Sequence, residues 1–281
     1  MTSRSKVEIR RCRPLLGTFV EITARGGREA RLQKAVDAAF AAVEKVHRLM
    51  SSHDPASELS LLNREGARRP VRVSSWTFEV LRRAHRMAGQ SGGTFDYTVA
   101  PTLARWGLLP PALQREKPGC WRDVLLLPGR KVHYARPLAI DLGGIAKGFA
   151  VDKAAEILRR AGATGGIVNA GGDLRVFGAR ATTVHLRHPS FPNVFAGSMK
   201  LTEGALATSS PCFTERAWRG RRISHLVNTR KGTALHGPIA ASVRARECWL
   251  ADALTKVVLN APARAKRLLK QHDAKAFLFS T

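Results

Sequence analysis

Hydrophobic positions change period several times along the chain, and those changes divide it into elements. From Glu29 to Met50 apolar residues fall at Leu32, Val36, Ala39, Phe40, Val43, Val46 and Met50, one helical stripe with Arg and Lys opposite. Ser51-Ser-His-Asp-Pro55 ends that helix, and a short one over Ser57 to Asn63 follows. Phe78, Leu81, Ala84 and Met87 predict another, capped by Ser74 or Ser75 and closing at Gly89. Ahead of the first helix, Leu15 to Ile22 reads as an opening strand that ends at the Gly26-Gly27 turn. Val124 to Tyr134 reads as a hairpin turning at Pro128-Gly129.

Ala139 to Leu158 reads as strand, tight glycine turn and helix. The helix is expected to begin near Gly148, with Asp152 in its first turn and Gly162 as its stop. Beyond it come short apolar runs divided by turn residues, from Gly166–Ala170 through Asp173–Phe177, Thr183–Arg187, Gly197–Leu201, Gly204–Ser209 and Ile223–Val227 to Ala240–Ala245. They predict an antiparallel meander. A helix over Cys248 to Leu259 and a final helix and strand within Ala261 to Phe279 complete the chain. With no repeat and no long linker, the pattern predicts an α+β fold: one two-lobed domain over residues 14–281, antiparallel sheets flanked by helices, after a basic segment at 1–13.

A chain of 281 residues, 44% hydrophobic, has enough apolar material for a full core. No apolar run reaches the ~18 residues that span a bilayer, so no membrane span is expected. The basic N-terminus runs straight into strand-like sequence without an apolar signal region, which predicts a cytoplasmic protein. Cys12, Cys120, Cys212 and Cys248 stand far apart with no CxxC pair, a pattern of reduced thiols and not of a disulfide framework or zinc site. The net charge of +26 invites a nucleic-acid reading. The basic residues are spread along the whole chain, however, without an arm or a recognised binding motif, so no specific nucleic-acid partner is expected.

The densest chemistry lies in Asp141-Leu-Gly143-Gly144-Ile-Ala-Lys147-Gly148. Two glycines let the backbone approach a ligand, amides at a helix start favour phosphate, and Lys147 adds charge beside them. The spacing is neither a P-loop nor GxGxxG. On local pattern alone this remains either an anion site or an ordinary turn with a surface lysine. Gly92-Gly-Thr-Phe-Asp96 likewise reads as a shaped loop with a carboxylate, or as a turn plugged by Phe95.

The ordered series LLGTFVEI, MSSHDPASELSLLN, GGTFDYTVAPTLARWGL, IDLGGIAKGFAVDKAAEIL, GIVNAGGDLRVFG, GALATSS, ISHLVNTRKG and ADALTK, running from about Pro14 to Leu259, resembles the FAD:protein FMN transferases of the ApbE type. The resemblance implies an enzyme that cleaves FAD with Mg²⁺ and attaches FMN by a phosphoester bond to a threonine of an acceptor protein, releasing AMP. By the same resemblance, Met50 packs against the flavin, Thr94, Phe95 and Asp96 contact FAD, and Asp141 and Lys147 bind it. The Gly144 carbonyl and Asp252 hold the metal, and His225 lies near the reacting phosphate; Asp252 and His225 are the catalytic pair. Met50 as a plain core residue and His225 as a strand-packing residue stay open beside those roles.

The departures fall near the expected metal. The family has a threonine four residues after the aspartate, whereas Lys256 stands there and Thr255 comes one position early, about 100° around the helix. Either Thr255 reaches the cation, or Lys256 points into the site. Asn228-Thr-Arg-Lys231-Gly232 also lacks the family's acidic residue and proline, and Ser210-Pro211 replaces Gly-Asp. The alternative implied is an FAD-binding protein of this fold with weakened or lost metal-dependent transfer.

Overall fold

The structure is a computed structural model that describes residues 7–117, 119–191 and 193–280. Its frame is a sheet of seven strands that lie side by side in chain order, every neighbouring pair antiparallel. They are β1 (Glu8–Leu15), β2 (Thr18–Arg25), β3 (Gly165–Ala170), β4 (Asp173–Gly178), β5 (Gly204–Ser209), β6 (Ile239–Ala245) and β7 (Lys275–Ser280). The helices are α1 (Glu29–Met50), α2 (Glu58–Glu65), α3 (Ser75–Gln90), α4 (Ala100–Arg105), α5 (Ala146–Arg160), α6 (Cys248–Asn260) and α7 (Pro262–Gln271). The expected α+β class with antiparallel sheets and flanking helices is what the chain forms.

The stripe of α1 is buried as its spacing predicts, from Leu32 to Met50. Helix α1 packs on α5, α5 on α6, and α5 and α6 lie against β3 to β6, so one face of the sheet carries the main core. A separate hairpin, Thr182–Arg187 with Phe195–Leu201, covers part of the other face by packing Val184, Leu186 and Leu201 on Leu174, Val176 and Leu206. A smaller core joins Ala100, Leu103, Leu108 and Leu109 to Ile223 and Val227.

Local rules account for most boundaries. Ser57 and Ser74 cap α2 and α3 by accepting the amides of Ser60 and Thr77. The hairpin at Pro128-Gly129 forms as expected, Val124–Leu127 pairing with Lys131–Tyr134. The opening strand is different. Leu16 and Gly17 both have positive φ, 57° and 70°, and form a tight turn, so the expected strand is split into the hairpin β1–β2. From Glu8 onward the basic N-terminal segment therefore belongs to the sheet.

Two predicted strands are replaced by something else. Leu138, Ala139, Ile140 and Leu142 are buried, but no strand pairs with them. The Asn63 side chain instead accepts from the Ile140 amide at 2.8 Å and donates to its carbonyl at 3.0 Å, and the Tyr97 carbonyl takes the Asp141 amide. Ile223–Val227 is interrupted as well: Arg221–Ile223 pairs with Arg216–Trp218, Val227–Asn228 pairs with Thr233–Ala234, and His225 sits in the break.

Helix α5 begins at Ala146, two residues earlier than its glycines suggest, and Asp152 does not serve its dipole. The Asp152 carboxylate, buried, accepts the amides of Cys248 and Trp249 at 2.9 Å each, at the start of α6. In return Asp252 of α6 accepts the amide of Gly148 at 3.2 Å, in the first turn of α5. Each helix thus satisfies open donors at the start of the other. A Cβ on Gly148 would stand 2.7 Å from Trp249 Cα and against the Cys248 carbonyl. Gly148→Ala should therefore cost about 1–3 kcal/mol by forcing α5 and α6 apart, read as a lower urea midpoint at unchanged slope; an unchanged midpoint would show that the contact can relax.

Candidate active site

Where α5 and α6 start side by side, two lysines and two carboxylates meet. Lys147 Nζ donates to Asp173 Oδ2 at 2.6 Å, and Lys256 Nζ is ion-paired with Asp252 Oδ1 and bonded to the Asp252 carbonyl at 3.1 Å. Asp173 and Asp252 are buried, and both lysines reach a cavity of about 300 Å³. Burial alone would lower the Lys147 pKa, but Asp173 and Asp252 outweigh it and hold the ammonium above its ordinary value. Lys147 is therefore charged throughout the neutral range.

The lining mixes apolar and polar groups: Phe95, Tyr97, Val99, Leu103, Leu109 and Phe213 on the one hand, Lys147, Lys256, Thr208, Ser209 and Ser210 on the other. Thr94 also lines it, and its buried hydroxyl has no partner among the described residues. Such an atom is costly unless a ligand or water takes it. Gly171, with φ of 61°, and Gly143 and Gly144 bring bare backbone to the wall.

The carboxylates assigned by resemblance shape the turns around this space. Asp141 Oδ1 accepts from Ser52 Oγ at 2.7 Å and Oδ2 from the Gly143 amide at 2.9 Å, which fixes the glycine turn. Asp96 Oδ1 accepts from the Thr98 amide and hydroxyl at 2.9 and 2.8 Å, and Oδ2 from the Trp121 amide at 3.4 Å. Burial raises the Asp96 pKa while those bonds and Arg122 oppose the rise. Both residues line the cavity while holding its walls.

His225 lines the mouth beside Asp141 and Thr214. Burial lowers its pKa, Asp141 raises it, and Arg216 and His53 lower it further, so the net direction is down and the imidazole is neutral at pH 7. The Asn228 side chain accepts the amides of Arg230 and Lys231 at 3.2 and 3.1 Å, and so keeps the turn that lacks an acidic residue and proline. Thr229 then reaches the Thr94 carbonyl at 3.2 Å.

Of the residues singled out from sequence, Thr94, Phe95, Asp96, Asp141, Gly144, Lys147, His225 and Lys256 line the one cavity. Met50 is buried in the main core and Asp252 lies behind Lys256; neither is among the described residues that line the cavity. The Thr255 hydroxyl donates to the Asp252 carbonyl at 2.6 Å and shares a 2.7 Å hydrogen bond with Ser209. Asp173 and Ser52 escaped sequence reasoning. The signals were the paired glycines before Asp173 and the serine pair that ends α1.

The residues expected to hold Mg²⁺ do not fit a divalent cation in this arrangement. One Asp252 oxygen carries the Lys256 ammonium, the other the Gly148 amide, and Thr255 is engaged in its own helix. Among the described residues no group of three or more His, Cys, Asp or Glu side chains is placed to hold a metal ion. Nor, among them, is any helix long and apolar enough to cross a membrane.

Comparison with known proteins places this geometry. An FAD:protein FMN transferase of Vibrio cholerae is 29% identical over 229 residues, 75% of this chain and 69% of that protein. One from Rhodobacter capsulatus is 28% identical over 255 residues, 85% of this chain and 49% of that longer protein. The crystal structure of the ApbE protein of Thermotoga maritima superposes with a TM-score of 0.85 at 23% identity, covering 98% of this chain and 94% of that one, which shows a shared fold. The sequence model of the ApbE family matches residues 16–279, nearly the whole length, and the chain belongs to the ApbE family.

Proposed function

We propose that this chain is an FAD:protein FMN transferase, with FAD as flavin donor and a threonine of an acceptor protein as the site of attachment. The observation that carries the reading is the mixed lining of one cavity: apolar and aromatic side chains suit a flavin ring, and the Lys147 and Lys256 ammonium groups in the same cavity suit a diphosphate. The Thr94 hydroxyl, buried without a partner among the described residues, offers a polar ligand atom a further contact.

In this reading FAD lies with its ring among Phe95, Tyr97 and Leu103 and its diphosphate toward the lysines. His225, neutral and at the mouth, takes the proton from the incoming hydroxyl. The new bond joins that oxygen to the flavin-side phosphorus, the bond between this phosphorus and the bridging oxygen breaks, and AMP leaves with the electron pair. Lys147 offsets the charge that builds on the phosphates. The resemblance suggests Mg²⁺ as a helper, but the occupied Asp252 oxygens do not support that role and no step is assigned to it.

A second reading, an FAD-binding protein without efficient transfer, is favoured by the same Lys256–Asp252 pair. Incubation with FAD and a threonine-bearing acceptor separates the two: gain of an FMN mass on the acceptor with stoichiometric AMP supports transfer, and bound FAD with neither product supports the second reading.

Lys147→Ala should weaken FAD binding about 10-fold or more while riboflavin binding changes about 2-fold or less, because the change removes a charge and leaves the ring wall intact. Flavin fluorescence quenching measures both; equal losses would place Lys147 away from the phosphates. The pH profile offers an independent check. Because the His225 pKa is lowered, the base form is lost only as pH falls through a value below the ordinary ~6.5. Transfer rate against pH should show an acid limb there, and His225→Gln should remove that limb and slow transfer about 10²–10⁴-fold. An acid limb that survives in His225→Gln would assign the base elsewhere.

A further inference from the structure

We propose that Lys256 is a built-in cation of the phosphate end of the cavity, and that this chain binds the FAD diphosphate without a divalent metal ion. The proposal rests on reading the cavity as an FAD site. Its own support is the geometry of one side chain. Lys256 leaves α6, lines the cavity, and lays its Cε 3.6 Å from where a Cβ on Gly144 would stand. The side chain thus runs beside the glycine turn at Gly144, and its ammonium is bonded to Asp252, the carboxylate expected to hold the cation.

Two partners hold it there. The Asp252 carboxylate and the Asp252 main-chain carbonyl both accept from Nζ, and an ammonium has three N–H donors, so one is left for a ligand. Asp252 is itself held by the Gly148 amide and fully enclosed, so the pair cannot swing out together. Lys147 is fixed in the same way by Asp173, 33% of its side chain remaining exposed. Two fixed ammonium groups in one cavity present a diphosphate with two positive charges at separate points. Mg²⁺ brings both charges to one point and demands near-octahedral oxygen ligands, and the Asp252 oxygens it would need already accept the Lys256 ammonium and the Gly148 amide.

Lys256 and Lys147 are each paired with an aspartate, Asp252 and Asp173. A divalent ion placed at Asp252 would stand beside the Lys256 ammonium, where like charges repel. The N–H donors that the two ammonium groups do not spend on aspartates are directed, charge-assisted partners for the oxygens of an incoming diphosphate.

The test uses the full chain, stripped of metal, with flavin fluorescence and Mn²⁺ electron paramagnetic resonance as readouts. Expected for the wild type are FAD affinities in EDTA and in millimolar MgCl₂ that agree within about 2-fold, and a Mn²⁺ signal that stays that of the free ion. Lys256→Gln, which keeps a donor for Asp252, should lose about 10-fold or more of the FAD affinity in EDTA while riboflavin affinity holds. If that variant does not fold, the two wild-type measurements still decide. Wild-type FAD affinity that rises about tenfold with MgCl₂, Mn²⁺ immobilised by the wild type, or unchanged FAD affinity in folded Lys256→Gln would each overturn the proposal. The failures are distinguishable: FAD binding that needs Mg²⁺ removes the role of Lys256 and leaves the transferase reading standing, whereas no FAD binding under either condition removes both.

Discussion

The rest of the structure depends on the exchange of carboxylates between α5 and α6. A helix start leaves open N–H donors that cannot be buried without partners. Here each start is buried in the core, and each is served by an aspartate of the other helix: Asp152 for Cys248 and Trp249, Asp252 for Gly148. The arrangement needs the two backbones in contact, which is why only a glycine fits at position 148. Once the helices are locked in this way, Lys147 and Lys256 have no freedom to choose another wall. The fold constraint and the placement of charge are one fact.

Burying the Asp173 and Asp252 carboxylates is unfavourable in itself, because each loses its hydration and the attraction of a half-buried lysine only partly offsets that loss. Apolar residues in place of such buried pairs are often as stable or more so. That the chain carries ions there is best understood through what the lysines line: a cavity with apolar and aromatic side chains and, among the described residues, an unpartnered hydroxyl at Thr94. A rigid, already ordered set of donors binds an anion with little further loss of side-chain freedom.

Much of this was legible in the sequence, and the limits have physical reasons. The stripe of α1, the serine caps of α2 and α3, the Pro128-Gly129 hairpin and the short strands from Gly166 onward follow rules that act within a few residues. Two strand readings went wrong where the apolar run was real but its backbone found another partner. Asn63, 77 residues away in sequence, replaces a neighbouring strand for Ile140, and nothing local announces that. Asp152 was misread for a similar reason: an acidic residue early in a helix suits its own dipole, yet this one turns to the next helix, 96 residues on. Thr94, Phe95, Asp96 and Asp141, singled out through the resemblance, line one cavity, a convergence of distant loops that periodicity cannot supply.

The interruption around His225 shows how the smaller core completes the cavity. Apolar sequence from Ile223 to Val227 would make an unbroken strand, and an unbroken strand would carry the imidazole at a fixed alternation, bound by its neighbours. Ser224 prevents it. Its hydroxyl donates to the Leu235 carbonyl at 2.8 Å and accepts the Leu226 amide at 3.3 Å, so the backbone closes a local turn and the ladder stops on either side. Ile223 and Val227 still reach the small core with Leu103 and Leu109, which anchors both ends of the break. Between those anchors His225 is left at the cavity mouth, its imidazole near enough to Asp141 to feel its charge and lowered in pKa by the protein around it. A residue held at both flanks and outside either ladder keeps its imidazole at the surface of the cavity, where an unbroken strand would have fixed it by alternation.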